Sequence, residues 1–382
     1  MLAAACMVAA GAALVTCIYA FTLTAKNATE RDYIEYWASE QQLAHGANPY
    51  DVAAVLRLEQ QTGMEGDTPK LSFSPPVALI VTLPLGYMSA KTGLILWLLF
   101  LLGCTGASAW VLWFLHHRPQ SRYHLLVFAF PPTLGCLMAG QLGVLLLLDI
   151  VLFFWLHEKR PWLAGAALVF CTLKPHLFLL CLVVLLLWSL RRRDFRVLGG
   201  FMAVLALSSA LTLCIDVHVW SQYSQMMRST RVMDVFIPTL GVVLRDLVDP
   251  HARWIEFLPE LAGCLWAAWY YWSRRDRWSW TEHGLLLLLV SAVCTSYAWF
   301  TDEAMLFPAI LAAMYRSEQS TRAWILLGLV TAGCLISVFW EIPLPSPFYL
   351  WTAPAWLLWY LYAMHGKETN PVPSGARSSA SN

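Results

Sequence analysis

The sequence predicts an all-α polytopic membrane protein of about twelve transmembrane helices with a large first outer loop. Three observations predict it. Of 382 residues, 59% are hydrophobic and only 13% are charged, against roughly 25% charged in an ordinary soluble domain. Apolar runs of spanning or near-spanning length recur from end to end, more apolar surface than a soluble core can bury. Trp is abundant at 20 residues, many at the ends of those runs, where interfacial aromatic belts sit. A net charge of +1 gives no basis for nucleic-acid binding.

Leu2–Thr24 reads as the first span rather than a signal peptide. No basic residue precedes its apolar run, which exceeds the ~7–15 residues of a signal core. The longest polar interval follows, Lys26–Pro76, within a first outer loop taken as 25–76. Val77–Gly86 is too short to span and is bracketed by Pro75, Pro76 and Pro84. It is expected as a re-entrant or interfacial helix, which needs protein or a wet cavity around it. Thr92–Leu115 is the second span. Tyr123–Met138 and Leu142–Leu156 form a hairpin turned at Gly140-Gln141. Leu163–Leu173 and Leu177–Leu190 form another, turned at Lys174-Pro175-His176, where the proline also ends the helix before it.

Val197–Ile215 is the seventh span. A second outer interval, 216–257, holds a short amphipathic helix near Leu240–Leu247. Five spans close the bundle: Leu258–Trp272, Leu285–Ala298, Ala304–Met314, Trp324–Trp340 and Phe348–Met364. Residues 1–365 are expected as one transmembrane domain, and 366–382 as a disordered cytoplasmic tail rich in Ser and Pro. No repeat of fixed short period is present.

Twelve spans put both termini on one side, and charge decides which. One set of loops carries about 15 basic and about 6 acidic residues; the other carries about 10 and about 17. The basic set is cytoplasmic by the positive-inside rule, so Lys26–Pro76, Gln141, Lys174, 216–257, Thr301-Asp302-Glu303 and Glu341–Pro347 all fall on the outer face. The expected location is a bacterial cytoplasmic (inner) membrane with its working groups outside. All ten cysteines lie in or near apolar runs and none forms CxxC, so they read as packing residues.

Asp32 is the leading chemical candidate. It lies just past the first span, where water meets lipid, and a helix puts it on one face with Tyr36. A single carboxylate there serves as general base on a sugar or lipid hydroxyl; alternatively, with Glu30, it favours a helix N-terminus. Tyr33, Tyr36 and Trp37 suit the headgroup layer. Asn48-Pro49-Tyr50-Asp51 reads as a turn starting a helix, with Asp51 its cap.

Lys174, between two apolar helices, is a functional hypothesis by its cost alone. With His176 it could bind a lipid phosphate, or it snorkels to headgroups. Asp149, inside a span, could pair with such a cation. Arg228, Arg231 and Arg245 in the second interval could hold phosphate or be solvated. Tyr297 to Glu303 repeats the first loop's pattern: Asp302 and Glu303 orient sugar hydroxyls or cap the next helix. There is no Walker A, dinucleotide fingerprint, HExxH or GxSxG motif and no zinc spacing. A sugar donor would therefore arrive through lipid, and a leaving phosphate met by Lys and Arg requires no metal.

These residues carry a resemblance. Asp32-x-x-x-Tyr36-Trp37, Leu43-x-x-Gly46-x-Asn48-Pro49-Tyr50-Asp51 and Phe73-x-Pro75-Pro76 resemble the opening signature of glycosyltransferase family 87. Those membrane enzymes belong to the GT-C superfamily and include polyprenol-phosphate-mannose-dependent α-1,2-mannosyltransferases. Gly140-Gln141 and Lys174-Pro175 resemble the next landmarks; Thr239-Leu240-Gly241 with Arg245, and Tyr297-x-Trp299-x-x-Asp302, are similar to a subset of members. Ser74 stands where Tyr often precedes Pro-Pro, Gly143 where Asn often follows Gly-Gln, and a late His is missing.

The resemblance implies a GT-C-like fold, an outward cavity and inverting transfer of a hexose, with mannose first, from a polyprenyl-phosphate donor to a lipid or glycan acceptor. It places Asp32 as base. Donor phosphate falls to Lys174, His176, Arg231 and Arg245. Tyr36, Trp37, Asn48, Gln141, Asp302 and Glu303 surround the substrates, with no cofactor and no metal. A transporter or flippase of lipid-linked saccharides is the alternative, but it needs groups on both faces and no inverted repeat is apparent. A non-catalytic assembly subunit is the third reading.

Overall fold

A computed structural model describes residues 28, 30–229 and 236–365. The first span, Arg231 and the tail therefore lie outside the described residues. The described chain is helical. It runs α1 (Tyr33–Ala44), α2 (Val52–Gln61), α3 (Pro76–Thr82), α4 (Ala90–Leu115), α5 (Pro131–Ala139), α6 (Gly143–Leu156), α7 (Pro161–Ala167) and α8 (Leu179–Arg192). There follow α9 (Arg196–Ile215), α10 (Val219–Ser229), α11 (Leu240–Val248), α12 (Leu258–Arg274), α13 (Trp280–Cys294), α14 (Phe307–Arg316), α15 (Thr321–Phe339) and α16 (Thr352–His365).

Four segments among the described residues are long and apolar enough to cross a membrane: Ala90–Leu115, Pro175–Arg192, Arg196–Ile215 and Thr321–Phe339. Shorter apolar segments accompany them at Pro76–Tyr87, Gly143–Leu156, Pro161–Leu173 and Trp280–Cys294. Only 11% of the apolar window of α9 is buried by protein, against 50% for α4. The open apolar side of α9 needs lipid, as in a multi-pass membrane protein.

Proline explains most departures from the expected spans. Tyr123–Met138 is not one helix: a 3-10 segment covers Tyr123–Ala129, and α5 starts only at Pro131. Phe130, held extended ahead of Pro131-Pro132, breaks the run. Leu163–Leu173 is likewise α7 followed by a 3-10 segment, Leu168–Leu173, ending ahead of Pro175. Ala304–Met314 becomes a 3-10 segment, Phe300–Leu306, and then α14 with Pro308 in its first turn. Leu285–Ala298 is shifted to α13, whose end at Cys294 leaves Thr295 to Trp299 as a connector. The polar interval 216–257 holds α10 as well as the expected α11.

The first loop is built into the bundle. Tyr33, Ile34, Tyr36 and Trp37 of α1 are buried in the main core, each such side chain contributing about 1.5–3 kcal/mol. The Trp37 indole donates to the Met88 carbonyl at 2.9 Å and that of Trp97 to the Gly140 carbonyl at 2.7 Å. Arg31 donates to the Met138 carbonyl. The Arg31 bond ties the start of α1 to the end of α5, the Trp37 bond ties α1 to the connector ahead of α4, and the Trp97 bond ties α4 to the α5–α6 turn. Asp51 caps α2, accepting from the Ala53 and Ala54 amides at 3.0 Å each.

Candidate active site

Asp32 immediately precedes α1 but does not cap it: its side chain accepts no bond from the first-turn amides. Instead Gln141 Nε2 donates to Asp32 Oδ2 at 2.9 Å, and the Tyr36 hydroxyl donates to Gln141 Oε1 at 2.7 Å. The helical four-residue spacing thus brings Asp32 and Tyr36 to one amide. Lys70 Nζ lies 3.6 Å from Asp32 Oδ1. The turn carrying Gln141 fits because Gly140 adopts φ +70° and a Cβ there would meet Tyr33 Cβ at 2.8 Å.

Opposite stands a second pair. Lys174 Nζ donates to both Asp302 oxygens, at 2.7 and 2.8 Å. Asp302 Oδ2 also accepts from the Trp299 amide at 2.9 Å, reaching back across the start of its own 3-10 turn. Burial works against the Lys174 ammonium, yet the Asp302 carboxylate beside it holds the lysine pKa above its ordinary value. The ammonium lies 5.8 Å from the Tyr297 ring centre, and the His176 ring meets the same tyrosine edge-on at 5.2 Å. Gly143 makes room for this turn, since a Cβ there would sit 2.2 Å from the Thr301 carbonyl oxygen.

One cavity of about 370 Å³ is lined by Asp32, Glu35, Tyr36, Lys70, Gln141, Lys174, His176, Tyr297 and Trp299, while Asp302, behind Lys174, is not on its wall. Apolar groups complete it, among them Leu71, Phe73, Leu142, Leu173 and Leu344. Segments separated along the chain, at 32–36, 69–74, 141–142, 173–176, 297–299 and 344–345, converge there. A second cavity of about 320 Å³ is lined by Glu30, Arg31, Asp32, Thr301, Glu341 and Tyr349, among others. Asp32 and Leu344 border both.

The remaining candidates lie elsewhere. Trp37 is engaged with Met88, and Asn48 Oδ1 accepts from the Tyr50 amide at 2.9 Å, shaping its turn. Glu303 accepts from Thr352 and from the Trp356 indole, inside the protein. Arg245 is paired with Asp246 and Glu256. Arg228 is exposed. Asp149 is wholly buried in α6 and has no ion pair among the described residues. No group of three or more His, Cys, Asp or Glu side chains suited to a metal occurs among the described residues.

Two charged cavity residues were not singled out from the sequence. Glu35 sits one turn after Asp32, and its signal was its position in the same short acidic, aromatic run. Burial, and then the nearby Asp32 charge, push its pKa up to about 8. Lys70 had no signal beyond a charge in a loop; its ammonium also donates to the Glu30 carbonyl at 3.1 Å.

The model of glycosyltransferase family 87 matches residues 73–337. The match covers the cavity's Gln141, Lys174, His176, Tyr297 and Trp299, while Asp32 and Glu35 lie ahead of it. No curated protein and no solved structure matches the chain.

Proposed function

The chain belongs to glycosyltransferase family 87, and from that premise we propose that it transfers a hexose, mannose first, from a polyprenyl-phosphate donor to a hydroxyl of a lipid or glycan acceptor. The reaction runs at the outer face of a bacterial cytoplasmic membrane with inversion at the anomeric carbon. The observation that carries this reading is the place of Asp32, whose side chain borders two cavities at once. A group between two chambers can take a proton from an acceptor in one while the acceptor oxygen attacks a sugar held in the other.

The chamber with Lys174 suits the donor. Two of the ammonium's N–H groups hold Asp302, leaving the third for a phosphate oxygen. The cations Lys174 and Lys70 and the ring of His176 face the charge that grows on the leaving phosphate. Leu71, Phe73, Leu142 and Leu173 offer apolar wall beside them. Gln141 and Tyr36 aim Asp32, and one displacement using one base inverts the sugar. Glu303 and Arg245, engaged elsewhere, serve the scaffold.

The test incubates purified protein with radiolabelled polyprenyl-phosphate sugars and a membrane extract. The expected result is label covalently joined to a new acceptor, lost in Asp32→Asn while that variant still inserts. Label that only changes leaflet, in wild type and variant alike, would replace this reading with transport.

A further inference from the structure

We propose that Lys70 is a positioning residue that makes Asp32 answer to the donor: its ammonium pairs with Asp32 until a donor phosphate draws it away, so the base is released only beside a bound donor. The inference rests on the transfer reaction proposed above and deepens it by fixing the order in which the two substrates bind.

Lys70 stands where the two chambers meet. It lines the chamber of Lys174 and is absent from the wall of the second. Yet its Nζ lies 3.6 Å from Asp32 Oδ1 and donates to the Glu30 carbonyl at 3.1 Å, and Asp32 and Glu30 both line that second chamber. Gln141 donates to the other Asp32 oxygen. Each carboxylate oxygen thus has an ammonium or an amide N–H beside it. An ammonium favours the charged form of a neighbouring carboxylate and so weakens it as a base. It also competes with an acceptor hydroxyl for the same oxygen.

The two ammonium groups of the donor chamber differ in how firmly they are held. Lys174 is 12% exposed and gives Asp302 two bonds, of 2.7 and 2.8 Å. Lys70 and Asp32 are 33% and 26% exposed, and their contact is the longer one. A partly solvated ion pair of that kind is weak. A phosphate oxygen offers an ammonium a shorter, charge-assisted bond. The root of Lys70 is nevertheless fixed, because its amide donates to both carboxylate oxygens of Glu59, at 3.1 and 3.2 Å. A flexible four-carbon stem on an anchored backbone lets the charged head swing while the loop stays in place. A donor phosphate beside Lys174 therefore takes Lys70 from Asp32, and the freed oxygen accepts the acceptor hydroxyl. By linkage, each substrate then strengthens the binding of the other. The donor binds first, and Asp32 acts on an acceptor only when there is a sugar to receive it.

Calorimetric titration of the purified protein with octyl mannoside, with and without saturating farnesyl phosphate, reads this coupling without turnover. Farnesyl phosphate supplies the leaving phosphate on a short prenyl chain and carries no sugar to transfer. In wild type it should raise the affinity for octyl mannoside about tenfold, within the usual range of coupling between sites. In Lys70→Met the affinity should already stand at the raised level, and farnesyl phosphate should leave it there. A residue that only supports the loop would give weaker binding in that variant instead. Lys70→Arg should keep the coupling in part. In turnover, Lys70→Met should raise donor KM without raising acceptor KM. Absence of coupling in wild type, octyl mannoside binding too weak to measure included, would overturn the proposal whatever the variants do. Full coupling in Lys70→Met would overturn it as well. Radiolabel transferred to an acceptor by a wild type that shows no coupling would spare the transferase and remove the role of Lys70. No transfer by wild type would remove the transferase, and this role with it.

Discussion

Gln141 reaches across 109 residues of sequence to donate to Asp32 at 2.9 Å. Its other amide atom takes the Tyr36 hydroxyl, so one side chain fixes both acid and aromatic. Gln141→Ala should release Asp32 to turn. We expect kcat to fall about 10- to 100-fold, the scale of a small misplacement of a reacting group, with donor KM little changed. The orphaned Tyr36 hydroxyl, buried at 4% exposure, should also cost about 1–3 kcal/mol of stability. Steady-state kinetics and thermal melting in detergent read both. An unchanged kcat would mean that Asp32 needs no orientation.

The Lys174–Asp302 pair is buried, at 12% and 1% side-chain exposure. Removing one member leaves an unmatched charge, so Asp302→Ala should destabilise by about 3–5 kcal/mol. Lys174→Met combined with Asp302→Leu should recover most of that stability and none of the donor affinity. Arg245→Ala, which breaks a pair away from the cavity, should leave donor KM unchanged. A double variant that regains donor use would remove Lys174 from phosphate binding.

How far the sequence reached can be read from these residues. Lys174 stood out because an ammonium between apolar helices has a price in any fold. Asp302 was a candidate for sugar hydroxyls or a helix cap, but its pairing with Lys174 could not be read, because only the fold brings positions 128 residues apart together. Asp32 stood out by its place after an apolar run; that Gln141 aims it could not be read from a polar residue in a turn. The class and the order of apolar segments were legible in hydropathy. The break at Pro175 was legible, but the one at Pro131-Pro132 was harder, since apolar character continues through it while the backbone does not.

Gly143 packs its α-carbon against the Thr301–Asp302 backbone. Gly143→Ala should push that turn away and pull Asp302 off Lys174. Overpacking of this kind costs roughly 1–3 kcal/mol, and we expect donor KM to rise with it. Gly328→Ala, where an added Cβ meets nothing within 4 Å, is the control and should change neither. Equal behaviour of the two variants in melting and kinetics would show that the turn tolerates the displacement.

Acidity should stabilise the outer loop. Burial raises the pKa of Glu35 to about 8 and of Glu59 to about 7, both from an ordinary 4.5. Glu59 keeps its place by accepting from the Lys70 amide at 3.1 and 3.2 Å, and the same amide belongs to the residue beside Asp32. Between about pH 4.5 and 8 the folded protein retains protons that the unfolded chain has released. Unfolding then gives up protons, so stability falls as pH rises across that window and levels off above it. The melting temperature at pH 5.5 should therefore exceed that at pH 8.5, each measured at one fixed scan rate. Glu59→Gln should flatten the lower part of the slope, and Glu35→Gln the upper part. A melting temperature that climbs steadily from pH 5.5 to 8.5 would show that both carboxyls are ionised in the folded loop, and that the cavity is wetter than its lining suggests.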